Sequence, residues 1–383
     1  METALALVLL IGATLMMRSF LYLRHLEPGF DTATQVTTRL YLSNDRYPDG
    51  SSRISFFRRA LERLSNTPGA EAVAAINYLP LSGNNSGSSF RVEGQAVMPG
   101  EHPIASWRPI TRDYFRTFGM REPRGRTFTD AEVFDSTARV VIINQAIADR
   151  FFPNQDPLGR RVATGLADNA EWLTVVGVVP TVQLRNLDTP PENQIYVPYA
   201  YGPWRTMSLV VRVRGDPAAF VPSMRRAIAE VDPTLPLFDV QTMMNVARLS
   251  YWDKRLYGML FASFAVIALL LAAIGVYGVM SYAVSQRTHE IGVRVALGAQ
   301  LRDVLSLVVR RGVWLTVIGL AIGLVGAFGL TRVLSGVLFG VSPTDPASYI
   351  GISLVLFTVG LVASYVPARR AARVEPAVAL RYE

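Results

Sequence analysis

The pair His289-Glu290 begins like a metal-dependent active site. Zinc hydrolases with the pattern H-E-x-x-H need a second histidine three residues after the glutamate, but that position is Val293. The other two histidines, His25 and His102, lie far away in the sequence, and the chain has no cysteine. These residue types and spacings predict no metal site and no disulfide.

Motifs for nucleotide binding and covalent catalysis are missing as well. A phosphate-binding loop requires a Gly-Lys pair, but the only lysine, Lys254, follows an aspartate. Segment 83–87 (Gly-Asn-Asn-Ser-Gly) has its serine in the wrong place for a nucleophile elbow. Several acidic residues lie in turn-like segments, and we interpret them as solvated loop carboxylates: Asp130, Glu132, Asp135, Asp156 and Asp168. We therefore expect a chain that is not an enzyme and holds no cofactor.

Long apolar runs dominate the last part of the chain. No charged side chain occurs between Arg255 and Arg287, within 312–331 or within 346–368, and a fourth apolar run occupies 3–17. A helix needs about 20 apolar residues to cross a bilayer, and only a helix or a closed barrel satisfies its backbone there. The sequence predicts four spanning helices, with a polar region of about 225 residues after the first.

Positive charge indicates how these helices cross the membrane. The net charge of +8 would suit nucleic acid, but the arginines beside the spans explain it better, so we expect no nucleic-acid partner. The 332–346 loop has only Arg332, whereas nine arginines lie in the loop between the second and third spans and after the fourth: Arg287, Arg294, Arg302, Arg310, Arg311, Arg369, Arg370, Arg373 and Arg381. The positive-inside rule places both termini in the cytoplasm and the large polar region outside.

The N-terminal run is predicted to be an uncleaved span. It has no basic n-region and no small-x-small cleavage site before Arg18. The run is short, so Arg18 is expected to extend toward the membrane interface.

Residues 27–250 alternate between strand-like and helix-like patterns, which predicts an α+β domain with two subdomains. The strand-like segments are 34–42, 73–78, 88–93, 104–111, 140–143, 172–179 and 209–213, and the helix-like ones are 48–65, 113–118, 145–152 and 217–231. From about Val240 the pattern turns helical. An unbroken helix over 245–286 would be about 60 Å long at 1.5 Å per residue and could form a stalk.

The sequence between the second and third spans predicts a short amphipathic helix, which ends at Gly298. Its apolar residues, Ile291, Val295 and Leu297, separate from its charged ones, Arg287, Glu290 and Arg294. Such a helix either lies on anionic lipid or docks on a cytoplasmic partner.

Small residues recur in the third span at Gly319, Gly323, Gly326 and Gly329. Glycines at this spacing let helices approach closely. They pack either within the four-helix unit or at the seam of a homodimer or pseudo-dimer.

Two segments resemble a known family. Residues 277–299 (YGVMSYAVSQRTHEIGVRVALGA) resemble the characteristic core of MacB/FtsX-type permeases of ATP-binding-cassette (ABC) systems, and residues 365–383 resemble the C-terminus of that family. Residues 8–31 look like the first span and exit of the subgroup with duplicated permease units, and residues 341–346 fit the same subgroup.

The resemblance implies a permease subunit in a bacterial cytoplasmic (inner) membrane, in which 287–299 is the coupling helix that rests on a separate ABC ATPase subunit. The coupling residues would be Arg287, Glu290, Ile291, Gly292, Arg294, Leu297 and Gly298. It also implies a second permease unit, contact with membrane lipid and a periplasmic adaptor as partners. ATP-driven closure would pass through the stalk to the outer domain, without substrate crossing the spans.

The expected organisation is a first span at 1–26, a MacB-like periplasmic core domain at 27–250 and an FtsX-like permease domain at 251–383. No ATPase domain is fused and only one permease unit is present, which suits the C-terminal half of a duplicated permease. The alternative is a non-transporting, FtsX-like regulator of an envelope enzyme.

Overall fold

The computed structural model describes residues 2–25, 28–95, 103–165, 171–183, 192–286, 301–333, 336 and 338–371. The chain separates into two compact units. One, here called the membrane unit, comprises Met1–His25 with Trp252–Glu383, and the other, the outer unit, comprises Leu26–Tyr251.

Helices and strands are numbered in chain order. The helices are α1 (Glu2–His25), α2 (Gly50–Ser65), α3 (Tyr114–Thr117), α4 (Asp130–Phe134), α5 (Gln145–Phe151), α6 (Val221–Val231), α7 (Met243–Leu249), α8 (Trp252–Ser285), α9 (Leu301–Val333) and α10 (Pro346–Ala371), with 3-10 turns at Tyr199–Tyr201 and Ala218–Phe220. The strands are β1 (Gln35–Tyr41), β2 (Ala70–Ile76), β3 (Gly87–Val92), β4 (Ile104–Ile110), β5 (Arg124–Gly125), β6 (Val140–Asn144), β7 (Arg161–Thr164), β8 (Trp172–Val179), β9 (Gln194–Pro198), β10 (Thr206–Val213) and β11 (Phe238–Thr242).

Four helices of the described chain are long and apolar enough to span a membrane. They cover Glu2–Leu23, Trp252–Ser285, Val309–Val333 and Pro346–Arg370. Their positions match the four apolar runs of the sequence. The predicted architecture, four spanning helices with a large α+β domain after the first, is therefore confirmed.

Helix α1 lies at the centre of the membrane unit. Half of its apolar window is buried (50%), against 17–22% for the other three spans, and it contacts all three of them. Its buried side chains and their neighbours form one apolar cluster: Ala6, Leu7, Ile11, Leu15 and Met16 with Ala268, Ala272, Ala327, Leu338 and Leu356. Most of the remaining apolar surface of α8, α9 and α10 is exposed, as expected of helices that face lipid or a partner.

The sheet of the outer unit has two parts, in agreement with the predicted two subdomains. Strands β11, β1, β10 and β2 form an antiparallel sheet in that order. Strands β4, β3, β7, β8, β6 and β9 follow one another around a ring, which closes where β9 pairs with β4. Strand β2 pairs with β4 through Ile76 and Ile110, and hydrogen bonds between Ala75 and Thr111 also join the two parts.

Each part has its own apolar filling. Inward-facing residues of the ring pack with α5: Phe90, Val92, Ala105, Trp107, Val141, Ile143, Ile147, Ala148, Phe152, Val162, Leu173, Val175, Val178, Ile195 and Val197. Against the four-stranded part, α2 buries Phe56, Phe57, Ala60 and Leu64 and contacts α6 and β2. Asp49 caps α2 by accepting the Ser52 amide at 2.7 Å.

The prediction of an unbroken helix over 245–286 was wrong. Helix α7 ends at Leu249 and α8 begins at Trp252, and residues 238–242, where a helical pattern was expected to begin, form β11, which pairs with β1. The Ser250 hydroxyl bonds to the Ala247 carbonyl at 2.7 Å. The Ser250 amide is shared between the carbonyls of Val246 and Ala247, at 3.1 and 3.2 Å, an arrangement that is common at helix ends.

Candidate coupling segment and packing sites

The predicted coupling residues lie outside the described part of the chain. These are Arg287, Glu290, Ile291, Gly292, Arg294, Leu297 and Gly298. The structure instead describes the two helices between which they lie, α8 up to Ser285 and α9 from Leu301.

The ends of the helices that flank this segment are packed together. Met280 of α8 and Ala368 of α10 are buried in one small cluster, with Val276, Val284 and Val309 packed around them. Val309 belongs to α9, so all three helices meet there. Beside this cluster, Nη1 of Arg370 donates to the Tyr277 hydroxyl at 2.9 Å. These contacts link α8, α9 and α10 near the segment that joins α8 to α9.

Three of the four glycines singled out in the third span lie against α1. A Cβ at Gly319 would be 2.8 Å from the Thr3 side chain, one at Gly323 would be 2.9 Å from Leu7, and one at Gly326 would be 3.3 Å from Val8. At Gly329 a Cβ would meet nothing within 4 Å. Gly319, Gly323 and Gly326 thus face α1, whereas Gly329 does not take part in this contact.

A second close approach, between α9 and α10, was not anticipated. A Cβ at Gly312 would be 2.1 Å from the Ser364 hydroxyl, and one at Gly360 would be 2.6 Å from the Thr316 hydroxyl. Each helix therefore presents a glycine and a hydroxyl residue four positions apart, in reciprocal register. The small-x₃-small spacing in both helices was the signal that could have revealed it.

Arg18 lies at the other end of the spans and is paired. Its Nη1 forms an ion pair with the Asp345 carboxylate, which also caps α10 by accepting the Ser348 amide at 2.8 Å. The hydrogen bonds from Ser348, with the charge of Arg18, hold the pKa of Asp345 below its ordinary value. The Ser19 hydroxyl accepts the Phe339 amide at 2.8 Å. These contacts attach the loop before α10 to the end of α1.

The loop carboxylates of the outer unit are engaged in local contacts. Asp130 pairs with Arg112, Asp156 with Arg124 at 3.3 Å, and Asp135 accepts the Thr137 amide at 2.8 Å. Asp168 lies outside the described residues.

Glu132 has the strongest of these contacts. It binds Arg126 through two oxygens at 2.7 and 2.8 Å and completes a capping box with Thr129. The hydrogen bonds from Arg126 and Thr129 lower the pKa of Glu132 to about 2. In the described part of the chain, no group of three or more metal-binding side chains occurs.

Comparison with known families accounts for both units. The profile of the MacB-like periplasmic core domain matches residues 3–231, which is more than half of the chain, and that of the FtsX-like permease C-terminal domain matches residues 262–376. The chain belongs to the MacB/FtsX-type family of ABC transporter permeases. Its core motif at 277–299 falls inside the FtsX-like match.

Relatives of this permease include free-standing and fused proteins. The chain is 26% identical over 290 residues to the uncharacterized ABC transporter permease YvrN of Bacillus subtilis, covering 72% of this chain and 69% of that one. It is 29% identical to the macrolide export ATP-binding/permease protein MacB of Azoarcus, covering 67% of this chain but 40% of that one. The fused relatives are thus much longer than the chain.

Solved structures of the periplasmic region of MacB from Actinobacillus actinomycetemcomitans and of the extracellular domain of YknZ also align with the permease. The first is 18% identical and covers 60% of this chain and 97% of that one, with a TM-score of 0.40. The second is 17% identical and covers 54% of this chain and all of that one, with a TM-score of 0.34.

Proposed function

We propose that this permease is the membrane subunit of an export-type ABC complex and transmits ATP-driven movement to its outer unit. The observation that carries the proposal is the family match over both units, together with the 277–299 motif in the loop that joins α8 to α9. Relatives named for export, such as MacB of Azoarcus and the pyoverdine exporter PvdT of Pseudomonas syringae, support the export direction.

A mechanical role suits the chemistry of the spans. The charged residues of the four spans all lie within a few residues of a span end: Glu2, Arg18, Asp253, Lys254, Arg255, Arg310, Arg311, Arg332, Arg369 and Arg370. Ion-coupled carriers display such groups inside the membrane because they must bind the ion there. The spans of this permease therefore move as packed apolar helices and provide no polar path for a substrate.

The energy would come from a separate ATPase subunit. The chain has no Gly-Lys pair for a phosphate-binding loop, and it spans 40% of the Azoarcus relative whose name includes an ATP-binding part. Residues 287–299 would rest on this subunit. In the expected helix, Glu290 and Arg294 would lie one turn apart and would make charge-assisted contacts with it, while Gly292 and Gly298 would keep the contact close and end the helix.

The proposed topology places both termini in the cytoplasm and the outer unit outside a bacterial cytoplasmic membrane. Domain boundaries are proposed at residues 26/27 and 250/251. A second permease unit, as another copy or another chain, would complete the complex, and a periplasmic adaptor is a further proposed partner. The movement of the outer unit would be conveyed through α8, which is continuous from Trp252 to Ser285.

Co-purification of the ATPase with charge-reversed permease tests the coupling role. Glu290→Arg and Arg294→Glu should each weaken recovery of the ATPase about tenfold or more, since each contact to a desolvated charge contributes roughly 1.5–3 kcal/mol. The matched control is Arg310→Glu. Arg310 is an exposed residue near the start of α9 and lies outside the motif. Full recovery of ATPase and of transport with both variants would refute docking and leave 287–299 as a helix on the lipid surface.

A further inference from the structure

An apolar groove runs along the membrane unit between α8 and α10. Its volume is about 400 Å³. Seven residues line it: Ala273, Ile274 and Tyr277 from α8, and Thr358, Val359, Val362 and Ala363 from α10. The alanines on both walls leave the space that larger side chains would fill. Ile274 and Val362 are 65% and 54% exposed, so the groove opens toward the surroundings of the helices.

Contacts between the helices bound the groove at both ends. At one end, Ala268 and Ala272 of α8 share the α1-centred cluster with Leu356 of α10. At the other end, Met280 and Ala368 are buried together. Because packed side chains fix both ends, the groove is a feature of the helix arrangement rather than of one loose side chain.

The end beside Met280 and Ala368 is basic. Arg369 and Arg370 are exposed there, and Nη1 of Arg370 donates to the Tyr277 hydroxyl at 2.9 Å. Tyr277 also lines the groove, so this bond links the apolar wall directly to the arginine. The tyrosine hydroxyl accepts that bond and keeps its own proton to donate, and the guanidinium has further N–H donors. The pair can therefore bind an anion at the mouth of the groove.

The groove and the arginines beyond its end together cover about the depth of one leaflet of a bilayer. Thr358 lies twelve residues before Arg370, which is about 18 Å along a helix at 1.5 Å per residue. Half of a hydrocarbon core is about 15 Å thick. The lining of the groove on α10, from Thr358 to Ala363, covers about 7.5 Å of this distance, and the two arginines lie beyond it, on the side of the headgroups.

We propose that this groove binds one anionic phospholipid. An acyl chain lies against Ala273, Val359 and Ala363, and the phosphate accepts hydrogen bonds from Arg370 and Tyr277, with Arg369 adding positive charge. Charge complementarity selects this occupant, because a phospholipid brings a phosphate to the level of both arginines while its acyl chain fills the apolar groove. A neutral phospholipid would gain the apolar contact but less of the electrostatic attraction.

Native mass spectrometry of the full-length protein tests this proposal. The protein is purified with an equal mixture of phosphatidylglycerol and phosphatidylcholine that have identical acyl chains, and the lipids retained on each protein are counted. We expect retained phosphatidylglycerol to exceed phosphatidylcholine at least fivefold. Arg370→Gln should reduce that ratio about fivefold, the effect of one basic residue near an anionic surface. Arg310→Gln, an exposed arginine at the start of another span, should leave it unchanged.

A second pair of variants tests the groove itself. Ala363→Leu fills the groove with both arginines intact and should at least halve the retained phosphatidylglycerol. The matched control, Ala321→Leu, is the same change at an exposed position of α9 and should have no effect. If Arg370→Gln fails to fold, Arg369→Gln takes its place.

Three results would overturn the proposal. One is equal retention of the two lipids by the unchanged protein, and another is an unchanged lipid ratio in Arg370→Gln. The third is unchanged retention by Ala363→Leu; if that variant also converts a dimer to a monomer, the groove belongs to a second copy. No ATPase takes part in the test, so its outcome is independent of the coupling role proposed above.

Discussion

Arg108 shows how much one residue contributes to the outer unit. It lies on β4, the strand that connects the ring to the four-stranded sheet, and its side chain is 0% exposed. Its two terminal nitrogens donate to the Tyr78 carbonyl at 3.1 Å and to Asn85 at 3.3 Å. Asn85 in turn donates to Glu192 at 3.0 Å. The buried guanidinium thus binds both ends of the turn that connects β2 to β3.

We predict that Arg108→Ala lowers the free energy of unfolding of the outer unit by about 3 kcal/mol or more. The substitution leaves a cavity and removes the donors to two acceptors, and such losses cost several kcal/mol in a protein interior. Arg112→Ala is the control: Arg112 is half exposed and pairs with Asp130 at the surface, so its loss should cost less than about 1 kcal/mol. Thermal unfolding followed by tryptophan fluorescence measures both. Equal losses would show that burial of Arg108 contributes nothing.

At the scale of elements, the spans pack through small residues. Gly319, Gly323 and Gly326 bring α9 against α1, and the pairs Gly312–Ser364 and Gly360–Thr316 bring α9 against α10. In a membrane, apolar side chains gain little from leaving lipid, so close packing and interhelical contact drive association. The glycines therefore set the distance of α9 from two neighbours.

Two identical substitutions on α9 test this packing. Gly323→Ala would place a Cβ 2.9 Å from Leu7 and 3.0 Å from the Ala4 carbonyl oxygen, and such overpacking costs about 1–3 kcal/mol. Gly329→Ala has open space and gains about 0.8–1.0 kcal/mol of helix propensity. We expect the melting temperature of the protein in mild detergent to fall for the first variant and to stay or rise for the second. A similar change in both would rule out a specific packing role for Gly323.

At the scale of the whole molecule, the topology can be tested with single cysteines, because the chain has none of its own. Asn84 of the outer unit and Ser285 at the end of α8 are both exposed. In intact spheroplasts, an impermeant maleimide should label Asn84→Cys and leave Ser285→Cys unlabelled until the membrane is broken. This follows from the excess of arginine beside the α8–α9 loop and after α10. Equal labelling before lysis would reverse the assignment.

Local composition determined several features directly. Spans are predictable because a bilayer requires a continuous apolar run, which the sequence displays without reference to other segments. Strand β8 was expected at 172–179 and is found at Trp172–Val179, since its alternation of apolar residues is equally local. The coupling segment, by contrast, was recognised from its resemblance to a family and not from its chemistry.

Long-range contacts decided the rest. Nothing near Arg108 in the sequence distinguishes a buried arginine from a surface one, because its partners come from other strands and turns. Closure of the ring depends on β9 pairing with β4, about 90 residues earlier in the chain. The apolar groove between α8 and α10, likewise, exists only because these two helices converge at both of its ends. Apolar runs and periodicity are properties of a segment, whereas burial, pairing and cavities depend on which distant segments fold together.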